Sequence, residues 1–548
     1  MKKSILPDKG IYIFIGIAIL LNFTGLFNTI MGPDAALYAS ISKNMAIKND
    51  YINLYYAGKD WLDKPHFPFW ITAFSFKLFG INTWAYKLPA ILFLMMGAYY
   101  TYLFAKNLYN KNIALLAVLI LLTAQHIVLS DNDVRAEPYL TGLIIASLYH
   151  FYKSYTLKNN LHLLAASVFT ACAIMTKGMF ALVPIGSAVL GELIIKKNWK
   201  ELFQLRWLIA LALIGIFILP ELYCLYQQFD LHPEKTVFEK TNVSGIRFFF
   251  WDSQFGRFFN TGPIKGKGNP LFYFHTVLWS FLPWSILLIM AIATFIRKNF
   301  RKRYDHEWYC LSAALASFLF FSASQFQLPH YLNIIFPFFA IIVAQYLYGI
   351  NTERTVNRIS LIQNFIVGLL FLSPFLLQVI YEPGGTSWLL LSLSSVFIFF
   401  PLVLVRKTFK IQRVIYKTAL ASFFLNLYLN LVFYPSVMQY QAGSQAAFWI
   451  NKNDQDMPVY SMVWSSPYIF YVDRGFHPTD TCLRNITDKK FLLFLPDVRA
   501  KRLIQMGKKI KILKEMDDYP ITRMNMKFIN SSHRHETLKK MDIAEVMQ

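Results

Sequence analysis

Residues 32–70 read GPDAALYASISKNMAIKNDYINLYYAGKDWLDKPHFPFW, and the rest of the chain is understood from this stretch outward. It follows the first hydrophobic run directly, yet it is too polar and too interrupted to cross a bilayer. Pro33 suits the first position of a helix. That places Asp34 in the first turn, where the positive end of the helix dipole favours an ionised carboxylate. Leu37, Tyr38, Ile41 and Met45 recur at helical spacing, which predicts one face lying on the membrane surface. The stretch closes on Asp63-Lys64-Pro65-His66-Phe67-Pro68-Phe69-Trp70, a charged pair held in a rigid aromatic turn. A polar loop fixed against a bilayer in this way is expected to carry half of an active site.

The surrounding composition makes the bilayer certain. Of 548 residues, 55% are hydrophobic and only 16% charged, against about 25% charged in ordinary soluble proteins. Apolar runs of about 20 residues, the length that crosses a hydrocarbon core, recur throughout. The net charge of +23 does not signal nucleic acid, because most of it lies in short basic connectors such as 196–200 and 297–303. Positive charge retained on the cytoplasmic side explains these clusters. Cys172, Cys224, Cys310 and Cys482 are scattered without metal-type spacing. The N-terminus resembles a signal sequence without a cleavage site, and reads as a retained first helix with its lysines in the cytoplasm.

Thirteen spans are expected, near 10–30, 88–106, 112–130, 136–153, 161–176, 179–196, 206–224, 271–296, 306–323, 329–348, 358–381, 387–405 and 415–434. With the N-terminus inside, every basic connector falls in the cytoplasm, while the short outer connectors near 324–328 and 382–387 carry no Lys or Arg. Two outer loops are long, 31–87 and 228–270. Residues 1–434 then form a membrane domain. Residues 435–548, with short apolar runs at 459–463, 491–495, 510–513 and 543–546, read as a small outer α/β domain.

Unusual polar residues gather on the outer side. Asp34, Asp60, Asp63, Lys64 and His66 lie on the first loop, and Asp131, Asp133, Arg135 and Glu137 on the connector after the third span. Lys177 sits at the next outer turn, Arg247, Asp252, Arg257, Lys265 and Lys267 on the second long loop, and His330 at the start of the tenth span. Charges beside a bilayer are costly, so their convergence suggests a site. For Asp60, Asp131, Lys265 and Lys267 simple solvation explains as much.

The order of short motifs adds a resemblance. Gly32-Pro33-Asp34 with Tyr38-Ala39, Asp63-Lys64-Pro65, Leu78-Phe79-Gly80 and Leu88-Pro89 is similar to the first outer loop of C-type glycosyltransferases. The resemblance is to the branch that holds the lipid A aminoarabinose transferases and the dolichyl-phosphate-mannose-protein mannosyltransferase-like enzymes. Asp133-Val134-Arg135-Ala136-Glu137-Pro138, Thr176-Lys177-Gly178, Leu282-Pro283-Trp284 and Gln327-Leu328-Pro329-His330-Tyr331 follow in family order. The resemblance covers residues 30–340. It implies an all-α polytopic fold with an outer α/β domain, in the bacterial inner membrane. It also implies transfer of a sugar from a polyprenyl phosphate such as undecaprenyl phosphate.

Within that implication, Lys64, Arg257 and Lys177 stabilise the departing phosphate, and Asp34 acts as general base on an acceptor hydroxyl, with inversion at the anomeric carbon. Glu137 and Asp133 compete for the second carboxylate role. Asp63, Tyr38 and Arg135 are expected around the substrates. His66 and His330 bind donor or acceptor, or serve structure alone. The chain departs from the aminoarabinose transferases at Ala35-Ala36-Leu37, where they carry an acid and an arginine, and at His66, where they carry a second proline. The expected partners are a polyprenyl-phosphate sugar, membrane lipids and a glycolipid (lipid A-like) or protein acceptor. No metal motif is visible, so no cofactor is expected, though carboxylates of this kind can hold a divalent cation. The alternative is a lipid or sugar transporter or flippase, which calls for ionisable residues at mid-bilayer and paired broken helices.

Overall fold

The computed structural model describes residues 8–299, 306–405, 410–453, 457–480, 483 and 486–547. Cys482 and parts of the basic runs after Arg297 and Val405 lie outside the described residues. The chain is mainly helical, and a helix runs within each of the expected apolar stretches. Among the described residues, 6 helices are long and apolar enough to cross a membrane, or up to 8 if each bent pair is one span.

Two of the expected spans are not straight. The 112–130 stretch forms Lys111–Thr123 and Gln125–Asn132, bent by 53°, and the 271–296 stretch forms Phe272–Ser280 and Ser285–Arg297, bent by 117°. Each bend frees backbone groups that lipid cannot satisfy, so protein must. The two breaks satisfy each other: Gln125 N–H donates to the Leu282 carbonyl at 2.8 Å, and the Trp284 indole donates to Thr123 Oγ1 at 2.9 Å. Ser422 Oγ and the Gln363 amide donate to the freed Thr123 and Pro283 carbonyls at 2.7 and 3.2 Å.

Residues 31–87, expected as the first long loop, fold as the helix Pro33–Lys48, the short hairpin Tyr55–Tyr56/Lys59–Asp60, the helix Phe67–Phe79 and the start of the helix Thr83–Leu108. Pro33 occupies the first turn and Asp34 follows it, as the sequence predicts. The apolar face does not lie on lipid, which corrects that expectation. Ile41 and Met45 are buried where the helix packs on Phe67–Phe79 and on Ser466–Tyr471, and Tyr38 meets Phe69 edge-on at 5.7 Å. A protein surface covers the face instead.

That cover comes from the C-terminal part of the chain. Four strands, Val459–Ser461, Lys490–Pro496, Lys539–Met547 and Lys509–Asp518, lie side by side in that order; the first pair is parallel and the other two antiparallel. Side chains alternate along Lys490–Pro496. Leu492 and Phe494 join Ala446, Ile450 and Ile543 on one face, while Phe491, Leu493 and Leu495 join Leu503 and Val546 on the other. Burial on both faces explains the unbroken apolar run.

Polar contacts tie this sheet region to the first loop. Lys43 Nζ donates to the carbonyls of Phe470 and Val472, both at 2.8 Å. Tyr471 Oη accepts from Ile30 N–H at 2.9 Å, and Gln441 donates to the Met31 carbonyl at 2.9 Å. These bonds bracket Gly32-Pro33 and fix the start of the helix that bears Asp34.

Candidate active site

Asp34 projects from the first turn of its helix and remains about half exposed, at 53%. Arg135 reaches it from the connector before the helix Glu137–Leu157: Nη1 donates to Asp34 Oδ2 at 2.8 Å, while Nε and Nη2 hold Asp133 Oδ2 at 3.1 and 3.0 Å. Burial works against the Arg135 charge, but the Asp133 and Asp34 carboxylates outweigh it and raise the guanidinium above its ordinary value. Gly32 makes the approach possible, since a Cβ there would fall 2.2 Å from Asp133 Oδ1.

Glu137 opens its helix, where the dipole favours a carboxylate, and its side chain is only 2% exposed. It pairs with Lys177 Nζ, and His330 Nε2 lies 3.7 Å away. Lys177 is the last residue of the helix Asn160–Lys177, and its ammonium also sits 3.7 Å from the centroid of the Tyr331 ring. Asp63 gathers the other two cations. Lys64 Nζ donates to its Oδ2 at 2.6 Å, and Arg257, from the helix Phe255–Phe258, pairs with Oδ1. Arg257 also lies over Phe326 at 5.5 Å, and burial pulls its pKa down.

These groups border two cavities. One, of about 620 Å³, is lined by Asp34, Tyr38, Arg135, Glu137 and His330. The other, of about 760 Å³, is lined largely by apolar groups including Leu140, Phe180, Phe321 and Ile334. Asp63, Lys64, Lys177, Arg257, Phe326 and Tyr331 line both. A wall carrying three cations therefore separates a polar chamber from an apolar one. Burial raises the Tyr38 pKa despite the nearby Lys64, so its hydroxyl stays protonated and able to donate.

Asp133 and His66 line neither cavity. Asp133 touches the polar chamber only through Arg135. His66 is fully buried behind the wall. Its backbone N–H donates to Glu221 Oε2 at 2.9 Å, Nδ1 meets Oε1 at 3.0 Å, and Nε2 meets the Ile52 carbonyl at 2.9 Å. Burial pulls its pKa down, yet Glu221 overcomes this and the net shift is upward. Among the described residues no group of three or more His, Cys, Asp or Glu is placed to hold a metal.

Sequence reasoning missed Phe326, Trp61 and Gln254, and gave no site role to Tyr331 although it closes the Gln327–Tyr331 motif. Phe326 directly precedes that motif, so proximity was a usable signal. Gln254 had none. It is buried, lines the apolar cavity, and donates to the Lys177 carbonyl at 3.3 Å and to Ser253 Oγ at 2.8 Å. Gly178, at φ +96°, lies so close that a Cβ would fall 2.0 Å from Gln254 Nε2. Gln254 thus sets the turn that presents Lys177.

Residues 63–223 match the model of the dolichyl-phosphate-mannose-protein mannosyltransferase family. An uncharacterized protein of Aquifex aeolicus is 26% identical over 475 residues, 85% of this chain and 87% of that protein. The undecaprenyl phosphate-alpha-4-amino-4-deoxy-L-arabinose arabinosyl transferase of Edwardsiella ictaluri is 28% identical over 363 residues, spanning 65% of this chain and 62% of the relative. The crystal structure of ArnT from Cupriavidus metallidurans bound to undecaprenyl phosphate superposes with a TM-score of 0.74 at 16% identity, covering 98% of both chains. In sequence and in fold, the chain therefore resembles the C-type membrane glycosyltransferases of the dolichyl-phosphate-mannose-protein mannosyltransferase and aminoarabinose transferase kind.

Proposed function

We propose that this protein is an integral-membrane glycosyltransferase that moves a sugar from a polyprenyl phosphate to a glycolipid of the lipid A type, or to a protein, on the outer face of the bacterial inner membrane. The observation that carries the reading is the wall shared by the two cavities. A polyprenyl tail suits the apolar chamber, its phosphate the cations of the wall, and its sugar the polar chamber beyond. A transporter or flippase, the alternative, finds no support among the relatives.

In the reaction an acceptor oxygen attacks the anomeric carbon as the bond from that carbon to the phosphate oxygen breaks, and the electron pair leaves on the phosphate. Lys64, Arg257 and Lys177 are placed to stabilise that charge, where exclusion of water strengthens each interaction. Asp34 takes the acceptor's proton, held in position by Arg135. Where the acceptor atom is an already ionised phosphate oxygen, Asp34 orients it instead. Glu137 holds Lys177 toward the wall, with His330 beside it. Asp133 acts through Arg135, and His66 through the packing of the Lys64 turn.

The finer architecture belongs to the same reading: thirteen spans, the N-terminus in the cytoplasm, a membrane domain over 1–434 and an extracytoplasmic α/β domain over 435–548. The bends at Ala124 and at 281–284 are then interruptions within single spans. Mass spectrometry of lipid A from cells with and without the gene, and with Asp34→Ala and Lys64→Ala, tests the function. A sugar-sized mass absent from the deletion and both variants supports a lipid A acceptor. Unchanged lipid A removes that acceptor, and failure of the purified protein to bind undecaprenyl phosphate removes the donor class.

A further inference from the structure

A second polar cavity, of about 1080 Å³, opens in the outer loop beside the catalytic chamber. Lys240, Arg247 and Lys265 line it, with Asp252 as the one acidic residue among its lining. Arg247 reaches Asp252 only at 3.9 Å and is 73% exposed. Among the described residues no ion pair engages Lys240 or Lys265. The cavity thus carries a surplus of positive charge, and hydroxyl and amide groups of Thr241, Asn242 and Thr261 border it.

Its frame is built rather than slack. Asp230 accepts from Ser244 Oγ at 2.5 Å and from the Gly245 and Ile246 N–H groups at 2.9 and 3.2 Å. Phe238 stacks on Phe248 with centroids 5.3 Å apart. On the opposite limb Asn260 exchanges two hydrogen bonds with the Gly266 backbone, at 2.7 and 2.9 Å. A loop held open in this way keeps like charges together at a cost that an anion would relieve.

The cavity also adjoins the site. Ile264 lines the catalytic chamber, while its neighbours Pro263 and Lys265 line the outer cavity. Ser253 likewise lines the apolar chamber and Asp252 the outer cavity. One thickness of chain separates the two spaces. Resting on the glycosyltransferase reading, we propose that this cavity is a subsite for a phosphate group of a phosphorylated glycolipid acceptor, separate from the cations that hold the donor phosphate. Binding there anchors the acceptor while its reacting oxygen enters the polar chamber.

The test uses the purified full chain in detergent and the triple variant Lys240→Gln/Arg247→Gln/Lys265→Gln. Binding is measured for bis-phosphorylated lipid A, for dephosphorylated lipid A, for inorganic phosphate and for undecaprenyl phosphate, the last reporting on the catalytic chamber alone. The expected result is at least a tenfold loss of affinity for bis-phosphorylated lipid A in the variant, unchanged undecaprenyl phosphate binding, and weak binding of the dephosphorylated form by both proteins. Equal affinity of wild type and variant for lipid A, or of wild type for its phosphorylated and dephosphorylated forms, overturns the proposal, as does no lipid A binding at all. Inorganic phosphate binding as tightly as lipid A overturns it too, by making the cavity a free-phosphate site. A charge-reversed variant, Lys240→Glu/Lys265→Glu, is expected to lose lipid A binding further. Undecaprenyl phosphate binding lost from the wild type would sink the transferase reading separately.

Discussion

Arg135 bonds Asp34 at 2.8 Å across 101 residues of sequence, and the same guanidinium holds Asp133. The carboxylate at the start of the helix Pro33–Lys48 is therefore aimed by a side chain on a distant connector. Asp34→Asn preserves the shape of this contact and removes the base. Transfer to a hydroxyl acceptor is expected to fall by about 10²–10⁴-fold, the usual worth of general-base catalysis. Undecaprenyl phosphate affinity should be unchanged. Single-turnover assays on purified protein check both, and a rate within threefold of wild type would remove Asp34 from the chemistry.

Lys64 and Arg257 meet on Asp63 and line both chambers. Hydrogen bonds to charged groups are each worth about 1.5–3 kcal/mol. Lys64→Ala or Arg257→Ala should therefore weaken undecaprenyl phosphate binding by about 10–100-fold. Direct titration with that lipid reads the effect. Unchanged affinity in either variant would show that the cation deleted does not hold the lipid phosphate.

His66 and Glu221 form a fully buried pair, both side chains being 0% exposed. Removing one partner leaves the other without compensation, so His66→Ala should cost about 3–5 kcal/mol of stability. The histidine pKa is raised in the folded protein. Its protonated form thus carries stabilisation that is complete below the ordinary value of about 6.5. That stabilisation is lost as pH rises through the raised folded value. Thermal unfolding in detergent should show the decline in wild type and a flatter profile in His66→Phe.

Gly178→Ala places a methyl on the Gln254 amide and a side chain at φ +96°. That backbone conformation, with ψ at −170°, is nearly exclusive to glycine and costs another residue about 1–3 kcal/mol, and the collision displaces the turn that presents Lys177. Transfer rate should drop, with Gln254→Ala giving a milder form of the same defect. Gly186→Ala, where a Cβ meets nothing within 4 Å, is the control and should behave as wild type. Kinetics of the three variants side by side would settle the role of the turn; equal rates would reduce Gln254 to packing.

Much of the molecule was legible in the sequence because bilayers and helix ends impose local rules. Apolar runs of about 20 residues mark where helices lie, since backbone in hydrocarbon must bond internally. Pro33 and Asp34 sit in the first turn where their chemistry suits it. The short apolar run at 491–495 became a strand, in keeping with the α/β reading of that region; its burial on both faces is seen only in the structure.

What the sequence by itself determined, then, is the set of helices and the segments that carry the charged residues of the site. The tertiary structure alone decided how those charges are used. Glu137 and Asp133 stand four residues apart, yet only Glu137 lines the chamber, because Arg135 turns Asp133 toward Gly32. His66 looked available but is buried against Glu221, 155 residues away. Gln254 shapes the Lys177 turn across 77 residues, and the breaks at Ala124 and Pro283 close on one another across more than a hundred. Spacing along the chain records what each segment prefers locally. The partner that satisfies a buried charge or a freed carbonyl is chosen by packing, and packing joins residues whose separation in sequence carries no periodic signal.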